Sequence, residues 1–79
     1  MYAIVQPNYH AFPHNRPSFT VELFDDDGTR IGSRAVMKRN LPPFTAEEQA
    51  ISMLGSFTAD VEDVHRDGEG YRINNLRPF

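Results

Sequence analysis

Phe44-Thr45-Ala46-Glu47-Glu48-Gln49-Ala50-Ile51-Ser52-Met53-Leu54-Gly55-Ser56-Phe57 is the one stretch of this chain with helical periodicity. Every other segment reads as strand or loop. Thr45 and Glu48 have the spacing of a capping box, in which the threonine hydroxyl accepts from the Glu48 N–H and the glutamate reaches back to the Thr45 N–H. Pro42 and Pro43 stand just upstream, and a residue before proline is pushed towards extended backbone, so the helix cannot start earlier. Glu47 and Glu48 put negative charge in the first turn, where the helix dipole favours it. Ala46, Ala50, Met53, Leu54 and Phe57 fall on one amphipathic stripe, with Glu48, Ser52 and Ser56 off it. Gly55 weakens the last turn or helps to end it. A helix of roughly three turns is marginal alone. Its stripe must therefore cover something, and the rest of the chain offers only sheet.

Upstream, residues 2–6 read as a short apolar strand stopped by Pro7 and Asn8. Residues 8–17 are a loop, because Pro7, Pro13 and Pro17 break both helix and central strand. Tyr9, His10, Phe12 and His14 crowd it with rings. Residues 18–25 alternate, with Phe19, Val21 and Leu23 on one side and Thr20, Glu22 and Phe24 on the other. Asp26-Asp27-Gly28-Thr29 is a turn with Gly28 suited to positive φ. Residues 30–37 return as the partner strand. Simple alternation places Ile31, Ala35 and Met37 on one face, towards the helix. It places Arg30, Gly32, Arg34, Val36 and Lys38 on the other.

Residues 38–43 link this hairpin to the helix. Downstream, residues 61–66 read as a strand, Asp67-Gly68-Glu69-Gly70 as a turn, residues 71–74 as a last strand and residues 76–79 as a tail. The expected fold class is α+β: a small antiparallel sheet in the order β-β-β-α-β-β with one helix packed on one face, forming a single domain over residues 1–79.

The composition bounds the chemistry. A chain of 79 residues buries only about 60% of its unfolded surface, so the core is thin. Without cysteine there is no disulfide framework, thiol nucleophile or cysteine-ligated zinc, and the composition suits a reducing cytoplasm. No apolar run reaches the length of a membrane span, and the first residues lack a signal-peptide pattern. A net charge of −3 argues against a general nucleic-acid coat.

No motif points to catalysis or to a cofactor. His10 and His14 have the helical metal-ligand spacing, but Pro13 lies between them and His65 is remote. Asp25-Asp26-Asp27-Gly28 does not close the twelve-residue frame of a calcium loop, and reads as a hairpin turn. Serine and histidine are present without a strand-turn-helix elbow to present them. The expectation is a non-enzymatic protein without cofactor or metal.

Charge is segregated instead. Arg30, Arg34 and Lys38 recur at even spacing, with Arg39 beside them, and Asp60, Glu62, Asp63, Asp67 and Glu69 form an acidic pole. Either pole is accounted for as a solvated surface, the basic one also as protection of an edge strand. Read as function, Arg30, Arg34, Lys38 and Arg39 would meet an acidic patch on a partner, with Tyr9, Phe12 and His14 as anchors in the loop. A chain with two poles suits docking to a protein better than uniform phosphate binding.

Three resemblances add to this. Pro17-Ser18-Phe19-Thr20-Val21, Gly28 and the alanine-containing helix resemble the central part of a double-stranded RNA-binding domain. The chain lacks that family's first helix and lysine cluster, and Glu47 and Glu48 stand where phosphate would approach. Length, acidic balance, absence of cysteine and element order resemble small phage-encoded inhibitors, among them the anti-CRISPR proteins. That resemblance implies a protein of the bacterial host cytoplasm that blocks a host defence protein or ribonucleoprotein complex by occupying a surface. The Thr45-Ala46-Glu47-Glu48 helix start is similar to that of some small antitoxins, which also act by binding a partner.

Overall fold

The structure is a computed structural model and describes residues 1–8, 18–37 and 45–79. Its main body is a five-stranded antiparallel sheet in the order β3-β2-β1-β6-β5. β1 (Tyr2–Pro7) is central, flanked by the hairpin of β2 (Ser18–Phe24) and β3 (Arg30–Met37) on one side. The hairpin of β5 (Val64–Asp67) and β6 (Gly70–Ile73) lies on the other. One helix, α1 (Ala46–Ser52), and a small second sheet of β4 (Phe57–Thr58) and β7 (Arg77–Pro78) complete the α+β domain. No helix among the described residues is long and apolar enough to cross a membrane.

The two hairpin turns follow from their glycines. In the first, Gly28 N–H donates to Asp25 C=O (3.0 Å), Asp25 N–H donates to Thr29 C=O (2.8 Å), and Gly28 has φ +87°. That is a type I turn closed by a left-handed residue, a common three-residue hairpin loop. In the second, Gly68 has φ +61° at the first central position between the paired Asp67 and Gly70. Gly70 has a separate reason. A methyl group there would overlap the Val5 carbonyl oxygen, so β6 can lie this close to β1 only with glycine.

The core lies on one face of the sheet. Ala3, Val5, Val21 and Ile73 contribute from the strands, Ala50, Met53 and Leu54 from the helical segment, and Ala59 and Leu76 from the flanking chain. Thr45 caps α1 as its sequence predicts, accepting from Glu48 N–H at 3.2 Å. The return arm differs: the Thr45 hydroxyl, not its backbone N–H, donates to Glu48 Oε1 (3.1 Å).

Several expectations change. α1 is seven residues, shorter than three turns, and Ala46 is exposed. After Ser52 the chain tightens: Met53 N–H donates to Ala50 C=O and Leu54 N–H to Ile51 C=O, and Gly55 at φ +72° ends the run. Phe57 enters β4 and is half-buried, off the helix altogether. Residues 61–63 form a 3-10 turn (Val61–Asp63), so only Val64 onward is strand. Residues 76–79 are not a loose tail. Leu76 is buried and donates its N–H to Met1 C=O, and Phe79 N–H donates to Ser56 C=O. The bend before them is made by Asn75 at φ +55°, a conformation asparagine tolerates.

The largest correction concerns β3. Its partners place Val36 opposite Phe19, Arg34 opposite Val21 and Gly32 opposite Leu23, so these three lie on the helix side. Ile31 and Met37, expected to face the helix, are 52% and 38% exposed. A register shift between Leu23 and Phe24 is the cause. Phe24 pairs with Arg30 and Leu23 with Gly32, leaving Ile31 as an extra residue. One inserted residue puts the strand out of step with simple alternation.

Candidate functional site

The face of the sheet turned away from α1 carries Tyr2, Ile4, Gln6, Thr20, Glu22, Phe24, Arg30 and Arg72. Cross-strand register builds a row on it. Tyr2 and Phe24 are direct partners, and their rings stack with centroids 4.9 Å apart and planes 9° from parallel. The Arg72 guanidinium sits over the Tyr2 ring at 4.2 Å, a cation–π contact, and its Nε donates to Asn74 Oδ1 (3.0 Å). Arg30 follows Phe24 in the row and reaches Glu22 at 3.2 Å. Two stacked rings thus lie between two guanidiniums.

Arg30 and Arg34 were expected to share a surface, and they do not. The extra residue at Ile31 leaves Arg30 on the open face and puts Arg34 on the helix side. There Arg34 donates from its guanidinium to Met53 C=O (2.8 Å), at the C-terminal end of α1, and lies against Gly55. The last turn of α1 contains no basic residue of its own. Arg34 therefore supplies from a neighbouring strand the positive charge and the donor that a helix C-terminus favours. Lys38, Arg39, Tyr9, Phe12 and His14 lie outside the described residues, as does His10.

The acidic pole is divided between internal ties and a groove. Asp60 takes a two-pronged bond from Arg77 (3.1 and 3.0 Å), which holds β7 to the segment before the 3-10 turn. That bond, with the attraction of the guanidinium, lowers the Asp60 pKa below its ordinary value and raises that of Arg77. Asp63 accepts from Asn75 Nδ2 (3.0 Å) and, through its carbonyl, from Asn74 N–H. Glu62 remains on an open groove of about 460 Å³ with Glu47, Glu48, Thr45, Val61 and Val64. In the first hairpin turn, Asp27 accepts from Thr29 N–H (2.9 Å), which lowers its pKa. The Asp25–Asp27 run is thus a turn, with Asp26 also paired to the Met1 ammonium.

Among the described residues no group of three or more histidine, aspartate or glutamate side chains converges to hold a metal ion. His65 is exposed on the edge strand β5. Sequence reading missed Tyr2, Phe24 and Arg72, which the register assembles. The signal available was the alternation of residues 18–25, which puts Phe24 with Thr20 and Glu22 on the side away from the core. The chain matches no family model, no curated protein and no solved structure.

Proposed function

We propose that this chain is a non-enzymatic binding protein that acts by covering a surface of another macromolecule. In this reading the partner is a host protein or ribonucleoprotein complex of a bacterial cytoplasm, blocked as small phage-encoded inhibitors of defence complexes block theirs. The observation that carries the proposal is the row Arg72, Tyr2, Phe24, Arg30 on the open face of the sheet. Aromatic and arginine side chains dominate interface energetics, and rings already stacked lose little conformational freedom on docking. The Arg30 side chain is 62% exposed, and its guanidinium can exchange Glu22 for a carboxylate on a partner at little cost.

The test is affinity purification from a bacterial lysate with the native chain and with a double variant, Arg30→Glu and Arg72→Glu. The expected result is a defined co-eluting protein or complex, lost with the variant while its circular dichroism is unchanged. Retention of the same partner by the variant would overturn the assigned face. A gel shift of generic duplex RNA, steeply weakened by salt, would replace the protein partner with a nucleic acid.

A further inference from the structure

We propose that the outer edge of β3 at residues 32–36 takes an extended segment of a partner protein as a sixth strand. One apolar side chain of that segment sits over Gly32, and an acidic one two residues away meets Arg34. The inference rests on the reading of the chain as a binding protein, and it names a class of partner segment at a second surface.

Among the described residues β3 ends the sheet, and six of its eight residues are exposed. Edge strands of soluble proteins are usually blunted by charge, proline or a bulge. Here those devices are displaced. The extra residue lies at Ile31, next to the turn, and the register from Gly32 to Met37 is regular. β3 holds no proline. Of its two charges, Arg30 is drawn onto Glu22 and Arg34 onto the Met53 carbonyl. In the middle of the strand, residues 32–36, the one charge is Arg34, and its guanidinium is held on the helix side of the sheet by the Met53 carbonyl.

Beside that edge, on the helix side, is a cavity of about 230 Å³ lined by Val21, Leu23, Gly32, Ser33 and Arg34. It exists because Gly32 has no side chain where its neighbours Leu23 and Arg34 do. The volume is below the range of sites for drug-sized molecules, roughly 300–1,000 Å³, and suits a single side chain. An added strand presents every second residue to one face, so residues opposite Gly32 and Arg34 both fall on the helix side. The first meets apolar walls. The second meets a guanidinium that has no carboxylate partner among the described residues. Four of the five guanidinium N–H groups remain beyond the one given to Met53. Strand addition of this kind takes affinity from main-chain hydrogen bonds and selectivity from pockets for alternate side chains. A second copy of this chain fits worse: antiparallel pairing that seats its Val36 over Gly32 sets Arg34 against Arg34, like charges directly opposite.

The test is selection of a phage-displayed library of random peptides on the full chain, then NMR titration of the isotopically labelled chain with the enriched peptide. The expected consensus is an apolar residue and an acidic residue separated by one position. Amide shifts should centre on residues 32–36. Gly32→Val should weaken binding by about tenfold or more. A Cβ at Gly32 meets only Leu23 Cδ1 within 4 Å, at an ordinary 3.8 Å, and circular dichroism of the variant checks that the fold is kept. Arg34→Gln should erase the acidic preference and keep the apolar one. Failure to enrich, a consensus without alternation, or binding indifferent to Gly32→Val would overturn the proposal. So would self-association through β3 at the concentrations used. The two surfaces separate: Arg30→Glu with Arg72→Glu reports on the open face, Gly32→Val on the edge.

Discussion

Arg34 and Asp60 show how much of this chain's charge is turned to its own use. A cation on a strand and an anion before a 3-10 turn each stabilise a neighbouring element: Arg34 the end of α1, Asp60 the strand β7. For Asp60 and Asp27 the folded pKa lies below the unfolded one, because the ionised form accepts from Arg77 and from Thr29 respectively. Their contribution is therefore complete above the ordinary carboxylate pKa, about 3.9, and is lost as pH falls through the lowered values. Stability should drop on acidification below about pH 4, measured by denaturant titration at a series of pH values. Asp60→Asn should make that acid limb shallower; an unchanged limb would exclude the Arg77 bond as a source. In the sequence these roles were hidden. Charge spacing marks a residue as ionic but not which distant backbone or side chain it will meet. Asp27 is the exception, since an aspartate two residues before a threonine in a turn bonds locally.

Among the elements, α1 was the most readable because its signals are local. Thr45, Glu48 and the prolines before them fix its start within a few residues. Its end was less readable. The apolar stripe continues through Leu54 and Phe57, but Gly55 and the Arg34 guanidinium close the helix while Leu54 still reaches the core. Leu54 is 2% exposed, and Leu54→Ala should cost about 2–5 kcal/mol by chemical denaturation, a large share of the stability of so small a domain. A cost near zero would mean that the helical segment does not cover the sheet. The short pairing of β4 with β7 had no sequence signal, since two residues are too few to show a period.

Over the whole molecule, the sequence conveyed the α+β class, the two hairpins and the side on which β2 buries its apolar residues. It did not convey sheet order, because β1 finds its partners across long sequence separations. The open face was only half visible: Arg30 was marked by its charge, while Tyr2, Phe24 and Arg72 become neighbours only through register. The order predicts an exchange pattern. β1 is paired on both sides, and Ala3 and Val5 are fully buried. Amide hydrogens of the interior strands β1, β2 and β6 should be the slowest to exchange with deuterium, and those of the edge strands β3 and β5 faster. Equal protection across the five strands would contradict the edge positions. The extra residue at Ile31 has a further consequence for anyone redesigning this chain. It acts as a phase break, like a dropped stitch in a knitted row: odd and even positions exchange sides across it. A pattern counted from Thr29 forward and one counted from Met37 backward disagree, and only the second is right for residues 32–37.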